Sequence, residues 1–512
     1  MPVRNFVAFD LGAESGRALI GRLDAGRLTL DEAHRFPNPN GRMNGHLHWN
    51  LLQQWEELKT GLRKAAATLQ AEQDVPSAAA GVPAAVPAVI HGIGVDTWGV
   101  DYGLVGPDGD VLGNPFHYRD GRTDGVMARL FDVVPRDEVF AATGIQFMPF
   151  NTLYQVFSML DRKTGLLAAA ETMLFVPDLF NYLFTGVAKA EASIASTSQM
   201  VDPRTGTWAT GLLERVGIPT RLLPPIVPSG TVIGPLRADV AADCGVRGTV
   251  PVIAPACHDT ASAVAAVPVE GERRTDWCYI SSGTWSLMGV ELPAPLIDAK
   301  VARYNYTNEG GVGGTIRFLK NIMGLWLVQE CRRHWLREGT DRSYIELTEL
   351  ASWADPFGPV VDPDHAPFGT PGDMPAKIDR FCRDTNQRPP ATPGETVRCC
   401  LESLALTYRR TLEGLEDILG RRIETIHIVG GGSRNELLNQ MTADATGRRV
   451  VAGPVEATAI GNILVQAMAT GDVPSLAAAR SIVRDSFDVK AYEPQHADRW
   501  DEAYRRFNAV RK

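Results

Sequence analysis

The sequence predicts an α/β protein built in two halves with mixed sheets, and three observations predict it. Apolar strands alternate with amphipathic helices along the chain, the pattern of sheets flanked by helices. The 512 residues are too many for one ordinary core, so two domains are expected. A strand–turn–strand opening also occurs twice, near Asn5 and again near Cys278, as a duplicated fold would give.

The elements follow in order. From Asn5, NFVAFD, LGAESGR and ALIGRL read as strand, tight turn and strand. A helix is expected over 50–70, where Leu51, Leu52, Trp55, Leu58 and Leu62 recur at helical spacing. The Ala/Pro-rich stretch 74–88 has too many prolines for a helix and too little bulk for a core, so it reads as an exposed connector. IHGIGVD is the next strand, followed by Thr97-Trp98-Gly99-Val100-Asp101 and a strand closed by the turn Pro107-Asp108-Gly109. Helical patterning dominates 124–184, and the proline-rich 219–235 reads as irregular. A strand, TVPVIAPAC, opens at Thr249. The domain boundary is expected just before it, giving domains 1–248 and 249–470 and a short, charged extension at 471–512.

In the second half, CYISSGTWSLMGV repeats the strand–turn–strand plan, and 321–337 reads as an amphipathic helix. Thr392-Pro393-Gly394-Glu395 carries the signals of a helix start, with the helix running to about Gly420. IHIVGGGSRNELL then gives a strand, Gly430-Gly431-Gly432, and a helix for which Ser433 and Glu436 are the expected capping box.

Composition narrows the function classes. The chain is 44% hydrophobic and 22% charged, ordinary for a soluble globular protein, and its formal net charge of −9 argues against a nucleic-acid partner. No apolar stretch reaches the ~20 residues of a membrane span, and the run after Asn5 is too short for a signal peptide. The seven cysteines are odd in number and match no zinc spacing, so they read as buried thiols of a cytoplasmic protein.

Three glycine-bearing turns are candidates for holding phosphate or nucleoside, because backbone N–H groups must approach closely and a Cβ intervenes. The first is Asp10-Leu11-Gly12-Ala13-Glu14-Ser15-Gly16-Arg17, where Ser15 adds a hydroxyl, Arg17 adds charge, and Asp10 is placed to hold Mg²⁺ directly or through water. The second is Ser281-Ser282-Gly283-Thr284-Trp285-Ser286, and the third is the triple glycine at 430–432. Each alone reads more readily as a plain turn. Their joint occurrence in both halves points to a nucleotide.

His258-Asp259-Thr260 follows the apolar strand from Thr249, and in open α/β sheets ligands sit beyond the carboxyl ends of strands. Asp259 is therefore a candidate base that orients an acceptor hydroxyl and takes its proton, with a simple helix cap as the alternative. His258 suits a sugar hydroxyl or a satisfied core position.

VAFDLGAESGR, GIGVDTWGVDYGL, YRDGRTDG, GIQFMPFNTLYQ, HDTASAV, YISSGTWSLMG, TNEGG, LKNIMGLWLVQE and HIVGGGSRNELLNQ together resemble the FGGY carbohydrate kinases, from residue 6 to about 470. The resemblance implies two actin-like (ribonuclease H-like) domains with ATP and sugar in the cleft between them. It places ATP against Ala13, Glu14, Ser15, Gly16, Arg17, Thr284, Gln329 and Gly431, and the sugar against Gly99, His258, Asp259, Thr260 and Asn321. It makes Asp259 the catalytic base. Glu14 departs from what a phosphate site prefers, so its carboxylate is expected to turn outward. The implied activity is ATP-dependent, Mg²⁺-assisted phosphorylation of a small ketose, L-rhamnulose at O1, in a monomer or homodimer. Phe147, Met148, Phe150 and Trp98 are candidates for meeting a 6-deoxy methyl group. Sibling kinases acting on fuculose, ribulose, xylulose or glycerol are the alternative. A chaperone-type ATPase or a sugar-responsive repressor would need a peptide-binding or DNA-binding domain beside the kinase fold.

Overall fold

The computed structural model describes residues 3–73, 90–271 and 275–511, and the connector expected at 74–88 lies outside them. The chain forms two compact units. One comprises Met1–Glu270, Glu291–Phe318 and Ala457–Ser486; the other comprises Gly271–Val290, Leu319–Glu456 and Phe487–Lys512.

The first unit is built on β1 (Arg4–Leu11), β2 (Ser15–Asp24), β3 (Arg27–Pro37), β4 (Ile90–Thr97), β5 (Thr231–Pro235) and β6 (Pro251–Ala254). Their order across the sheet is β5-β6-β4-β1-β2-β3. β1 pairs antiparallel with β2 and parallel with β4. Buried on both faces, it reads as a near-continuous apolar run, and only its last polar residue, Asp10, breaks that run. Helix α1 (Leu51–Gln73) lays Leu58, Leu62, Ala65 and Leu69 into the core with Phe9, Ala18 and Ile20. Leu52 departs from the expected face: it is exposed, because one residue past Leu51 the helix has turned toward solvent.

The strand opening at Thr249, which leads through His258 into helix α2 (Asp259–Ala265), does not begin a second sheet. β6 lies antiparallel to β5 and parallel to β4, so the expected boundary at 248/249 cuts through the first sheet. Residues 219–235 are also more regular than expected, since β5 forms the sheet edge, where Pro235 at its end is tolerated.

The second sheet repeats the plan with β7 (Trp277–Ser282), β8 (Trp285–Leu292), β9 (Thr307–Gly310), β10 (Ile316–Met323), β11 (Thr425–Val429), β12 (Arg449–Ala452) and β13 (Lys490–Tyr492), in the order β9-β10-β8-β7-β11-β12-β13. β7 is antiparallel to β8 and parallel to β11, as β1 is to β2 and β4. The expected duplication is therefore present strand for strand around the central hairpins.

Residues 321–323 belong to β10, and the helix expected from 321 begins later, as α3 (Trp326–Arg337). α4 (Pro393–Leu419) starts as expected, with the Thr392 side chain accepting from the Glu395 amide. In α5 (Glu436–Thr446) the cap is Asn435, accepting from Leu438 N–H; Ser433 instead donates to the Gly430 carbonyl. The segment after 470 is more than a tail: β13 closes the second sheet edge, and helices form at Leu476–Ser486 and Ala497–Val510. All seven cysteines are buried and free.

Candidate active site

In the first unit, register brings the carboxylates together. Asp10 and Asp96 are partners on the parallel strands β1 and β4, and Thr97 bridges to His258, with the Thr97 amide donating to the Cys257 carbonyl at 2.9 Å. Three adjacent strand ends thus deliver Asp10, Asp96 and the His258-Asp259-Thr260 segment to one edge. Arg17, opposite Asp10 across the hairpin, forms an ion pair with it. Asp96 is fully buried and accepts from Asn462 Nδ2 at 2.6 Å, while its Oδ1 has no hydrogen-bond partner among the described residues. Burial pushes the Asp96 carboxyl well above its usual range, and the neighbouring Asp10 and Asp259 add to the shift against the Asn462 bond.

Asp259 stands in the first position of the helix Asp259–Ala265, and His258 occupies the cap position, so Asp259 is not a simple cap. Its Oδ1 accepts from the Thr260 amide at 2.5 Å and from the Thr260 hydroxyl at 3.1 Å. Oδ2 accepts nothing among the described residues, and the side chain is about a third exposed. Thr260 itself is buried, and its hydroxyl steadies the carboxylate. His258 Nε2 lies 3.5 Å from Asp259 Oδ1, and Nδ1 lies 3.0 Å from Arg317 Nη2.

A buried Glu191 ties this segment down. It accepts from the amides of Ser193, Ile194 and Cys257, and from the hydroxyls of Ser193 and Ser229.

The turn after β4 is strained and over-determined. Val100 has φ 68°, a region β-branched residues avoid. It is held by its amide on Thr197 Oγ1 (3.1 Å) and by Thr152 Oγ1 on its carbonyl (2.6 Å). A Cβ on Gly99 would stand 3.1 Å from Thr197 Oγ1, so here glycine answers a close internal approach. Beside it, Asp101 is buried and accepts from Trp49 Nε1, Trp98 Nε1, the Tyr118 amide and Gln155 Nε2; burial nevertheless pushes its carboxyl up to about 6. Of the apolar candidates for a methyl group, Trp98 packs tilted against Trp49 and Phe147 is buried; Met148 and Phe150 keep some exposure.

At the first turn, the Gly12 amide donates to the Ser15 carbonyl at 2.9 Å and Glu14 is exposed, as expected. A Cβ on Gly16 would strike Phe36 at 2.3 Å, whereas one on Gly12 would meet only an ordinary 3.5 Å contact. Gly16 therefore serves packing, and Gly12 has no such internal reason.

In the second unit, the Gly283 amide donates to the Trp285 carbonyl at 2.8 Å, and the amides of Gly324 and Trp326 donate to the Thr284 carbonyl. This binds the turn to the start of α3, whose Gln329 carries a buried Oε1 with no partner among the described residues. The triple glycine is set against the same turn, because a Cβ on Gly432 would lie 2.1 Å from Ser282 Oγ, while one on Gly431 would meet nothing within 4 Å. The turn at Ser282–Thr284 thus touches both the start of α3 and the triple glycine. Asn321 is half-buried on β10.

Sequence reading singled out neither Asp96, Glu191, Glu309 nor Arg317. A charged residue flanked by Ile316, Phe318 and Leu319 in an apolar strand was the available signal for Arg317.

Family comparison supplies the frame. Residues 5–266 match the N-terminal domain, and 278–470 the C-terminal domain, of the FGGY family of carbohydrate kinases. The chain is 44% identical to a rhamnulokinase of Bacteroides thetaiotaomicron over 509 residues, covering 99% of this chain and 100% of the relative. It is 42% identical to a rhamnulokinase of Ligilactobacillus salivarius, covering 96% of each. Its fold is similar to a gluconate kinase of Lactobacillus acidophilus (TM-score 0.77, 14% identity, 100% of this chain and 98% of the other). It is also similar to a Plasmodium falciparum glycerol kinase crystallised with ADP (TM-score 0.75, 13% identity, 99% and 97%).

Proposed function

The chain belongs to the FGGY family of carbohydrate kinases, and from that premise we propose that it transfers the γ-phosphoryl group of ATP to O1 of L-rhamnulose in L-rhamnose catabolism, in the cytoplasm. One observation carries the reading: a carboxylate with an open oxygen, Asp259, beside two further strand-end carboxylates, in a chain similar along its whole length to rhamnulokinases.

Asp259 would accept the O1 proton through Oδ2 while the new O1–phosphorus bond forms and the bond to ADP breaks. Thr260 would hold the carboxylate still, and His258, Asn321 and the Gly99 turn would fix the sugar. The turns at Ala13–Arg17 and Thr284 would present amides and hydroxyls to the phosphates, with Gln329 and Gly431 at the nucleoside.

Among the described residues no group of three or more His, Cys, Asp or Glu is arranged to hold a metal. The unpartnered Oδ1 of Asp96 next to Asp10 nevertheless fits a Mg²⁺ shared with ATP, whose coordination phosphate oxygens and water would complete. Bound there, the ion would neutralise charge on the transferring group. No helix among the described residues is long and apolar enough to cross a membrane.

A methyl group contributes only ~1–3 kcal/mol of selectivity, and an unmatched hydroxyl partner costs more, so hydroxyl stereochemistry should dominate sugar choice. The test is kcat/KM for L-rhamnulose beside L-fuculose, L-xylulose, D-ribulose and glycerol, in one assay coupled to ADP release. L-Rhamnulose should lead. Another acceptor ahead by tenfold would overturn the sugar assignment and leave the kinase assignment standing.

A further inference from the structure

We infer that Arg317, backed by Glu309, is a positioning residue that fixes His258 as its Nε2–H tautomer and so keeps a hydrogen-bond donor turned toward Asp259 and the acceptor sugar; this rests on the sugar-kinase reading above. The main chain at His258 is already held, with its amide donating to Ser193 Oγ at 3.1 Å. The ring is held separately. Nδ1 lies 3.0 Å from Arg317 Nη2 and 3.3 Å from Glu309 Oε2, and Nε2 lies 3.5 Å from Asp259 Oδ1.

A guanidinium has five donors, no acceptor and no accessible neutral form. Arg317 Nη2 at 3.0 Å from Nδ1 can therefore only donate, and Nδ1 must offer its lone pair. A neutral imidazole has a single N–H, which then sits on Nε2, facing Asp259. Glu309 does not receive a ring proton in this arrangement; it accepts from Arg317 Nη2 at 3.0 Å.

The supporting shell is buried. Arg317 is fully buried, Glu309 is 4% exposed, and Arg317 Nε donates to the Gly310 carbonyl at 2.9 Å. Glu309 thus compensates a buried charge that would be costly alone. Remove the guanidinium and the nearest partner of Nδ1 becomes the Glu309 carboxylate, which can only accept a hydrogen bond, so the ring proton moves to Nδ1. The tautomer then flips, and Nε2 turns a lone pair toward the Asp259 carboxylate.

The experiment uses the full chain with ¹⁵N-histidine labelling, the His258 signals being assigned as those lost in His258→Gln. In the wild type, Nε2 should be protonated and Nδ1 not. In Arg317→Met the pattern should reverse. kcat/KM for the sugar should fall roughly tenfold to a hundredfold, as for other outer-shell partners, while KM for ATP stays within about twofold. Arg317→Lys, which keeps a donor at Nδ1, should restore most of the loss.

A wild-type spectrum with Nδ1 protonated overturns the inference, and it does so even if Arg317→Met fails to fold. A folded Arg317→Met protein with unchanged tautomer and unchanged sugar kcat/KM overturns it too. A wild-type protein that phosphorylates none of the five acceptors would instead sink the sugar-kinase reading, while the spectrum still decides the tautomer.

Discussion

The two central hairpins share one backbone plan and differ in charge. In the first unit, the turn between β1 and β2 is flanked by Asp10 and Arg17, with Asp96 and Asp259 on adjacent strand ends. In the second, the turn between β7 and β8 is made of Ser282, Gly283, Thr284 and the triple glycine packed behind it. One copy of a duplicated fold carries groups that can hold a cation and move a proton. The other presents amides and hydroxyls, which suit a polyanion. The division follows from which residues end the strands, since the pairing itself is the same.

The sharpest way to break that contrast is Asp259→Asn. If the chemistry belongs to the first hairpin, kcat should fall by roughly 10²–10⁴-fold, because the amide cannot take the hydroxyl proton. Binding of ATP, titrated calorimetrically without sugar, should persist. Near-wild-type turnover would remove Asp259 from the mechanism and with it the assignment of the acidic half.

The next effect separates glycines that serve the chain from those that serve a ligand. Gly12 and Gly431 have room for a side chain, and neither has a positive φ, so Gly12→Val and Gly431→Val should fold. Each should weaken ATP binding at least tenfold, roughly the affinity lost when about 1.4 kcal/mol of contact goes. Gly432→Val should do the reverse and lose ~1–3 kcal/mol of stability through overpacking against Ser282. Unchanged ATP affinity in a folded Gly431→Val protein would make the triple glycine a turn and nothing more.

Much of this was legible in the sequence because it is local. Strand–turn–strand hairpins, the His258-Asp259-Thr260 segment and the Thr392 cap each lie within a few residues. What escaped reading is set by register between distant strands. Asp96 matters because β4 pairs with β1 so that it falls beside Asp10, and no periodicity encodes that alignment. Arg317 and His258 are 59 residues apart and meet only through the fold. The boundary before Thr249 failed for the same reason: an apolar strand does not say which sheet it joins. Gly16 and Gly99 also face Phe36 and Thr197, contacts invisible until the strands are stacked.

The smallest effect tests how dry the first unit is beyond its acidic edge. Burial holds the Asp101 carboxyl near 6 in the folded chain against an ordinary 3.8, although Trp49, Gln155 and Trp98 hydrogen bonds pull it down. The sign follows from proton counting. Between about pH 4 and 6 the folded chain holds a proton that the unfolded chain has released, so stability from this group falls as pH rises through that window. Below it the cost is absent; above it the cost is complete, about 3 kcal/mol for a shift of about two units. The indoles of Trp49 and Trp98 both donate to this carboxylate, so its ionisation should register directly in their fluorescence. A titration with a midpoint near pH 6 is expected in the folded wild type and should vanish in Asp101→Asn. That variant exchanges one accepting oxygen for a donor and loses a bond at every pH, so the pH dependence carries the result and the offset does not. A fluorescence trace flat from pH 5 to 7 would mean that the donors outweigh burial. Asp101 would then be an ionised anchor for the turn at Gly99, and the contrast between the hairpins would rest on the strand-end carboxylates alone.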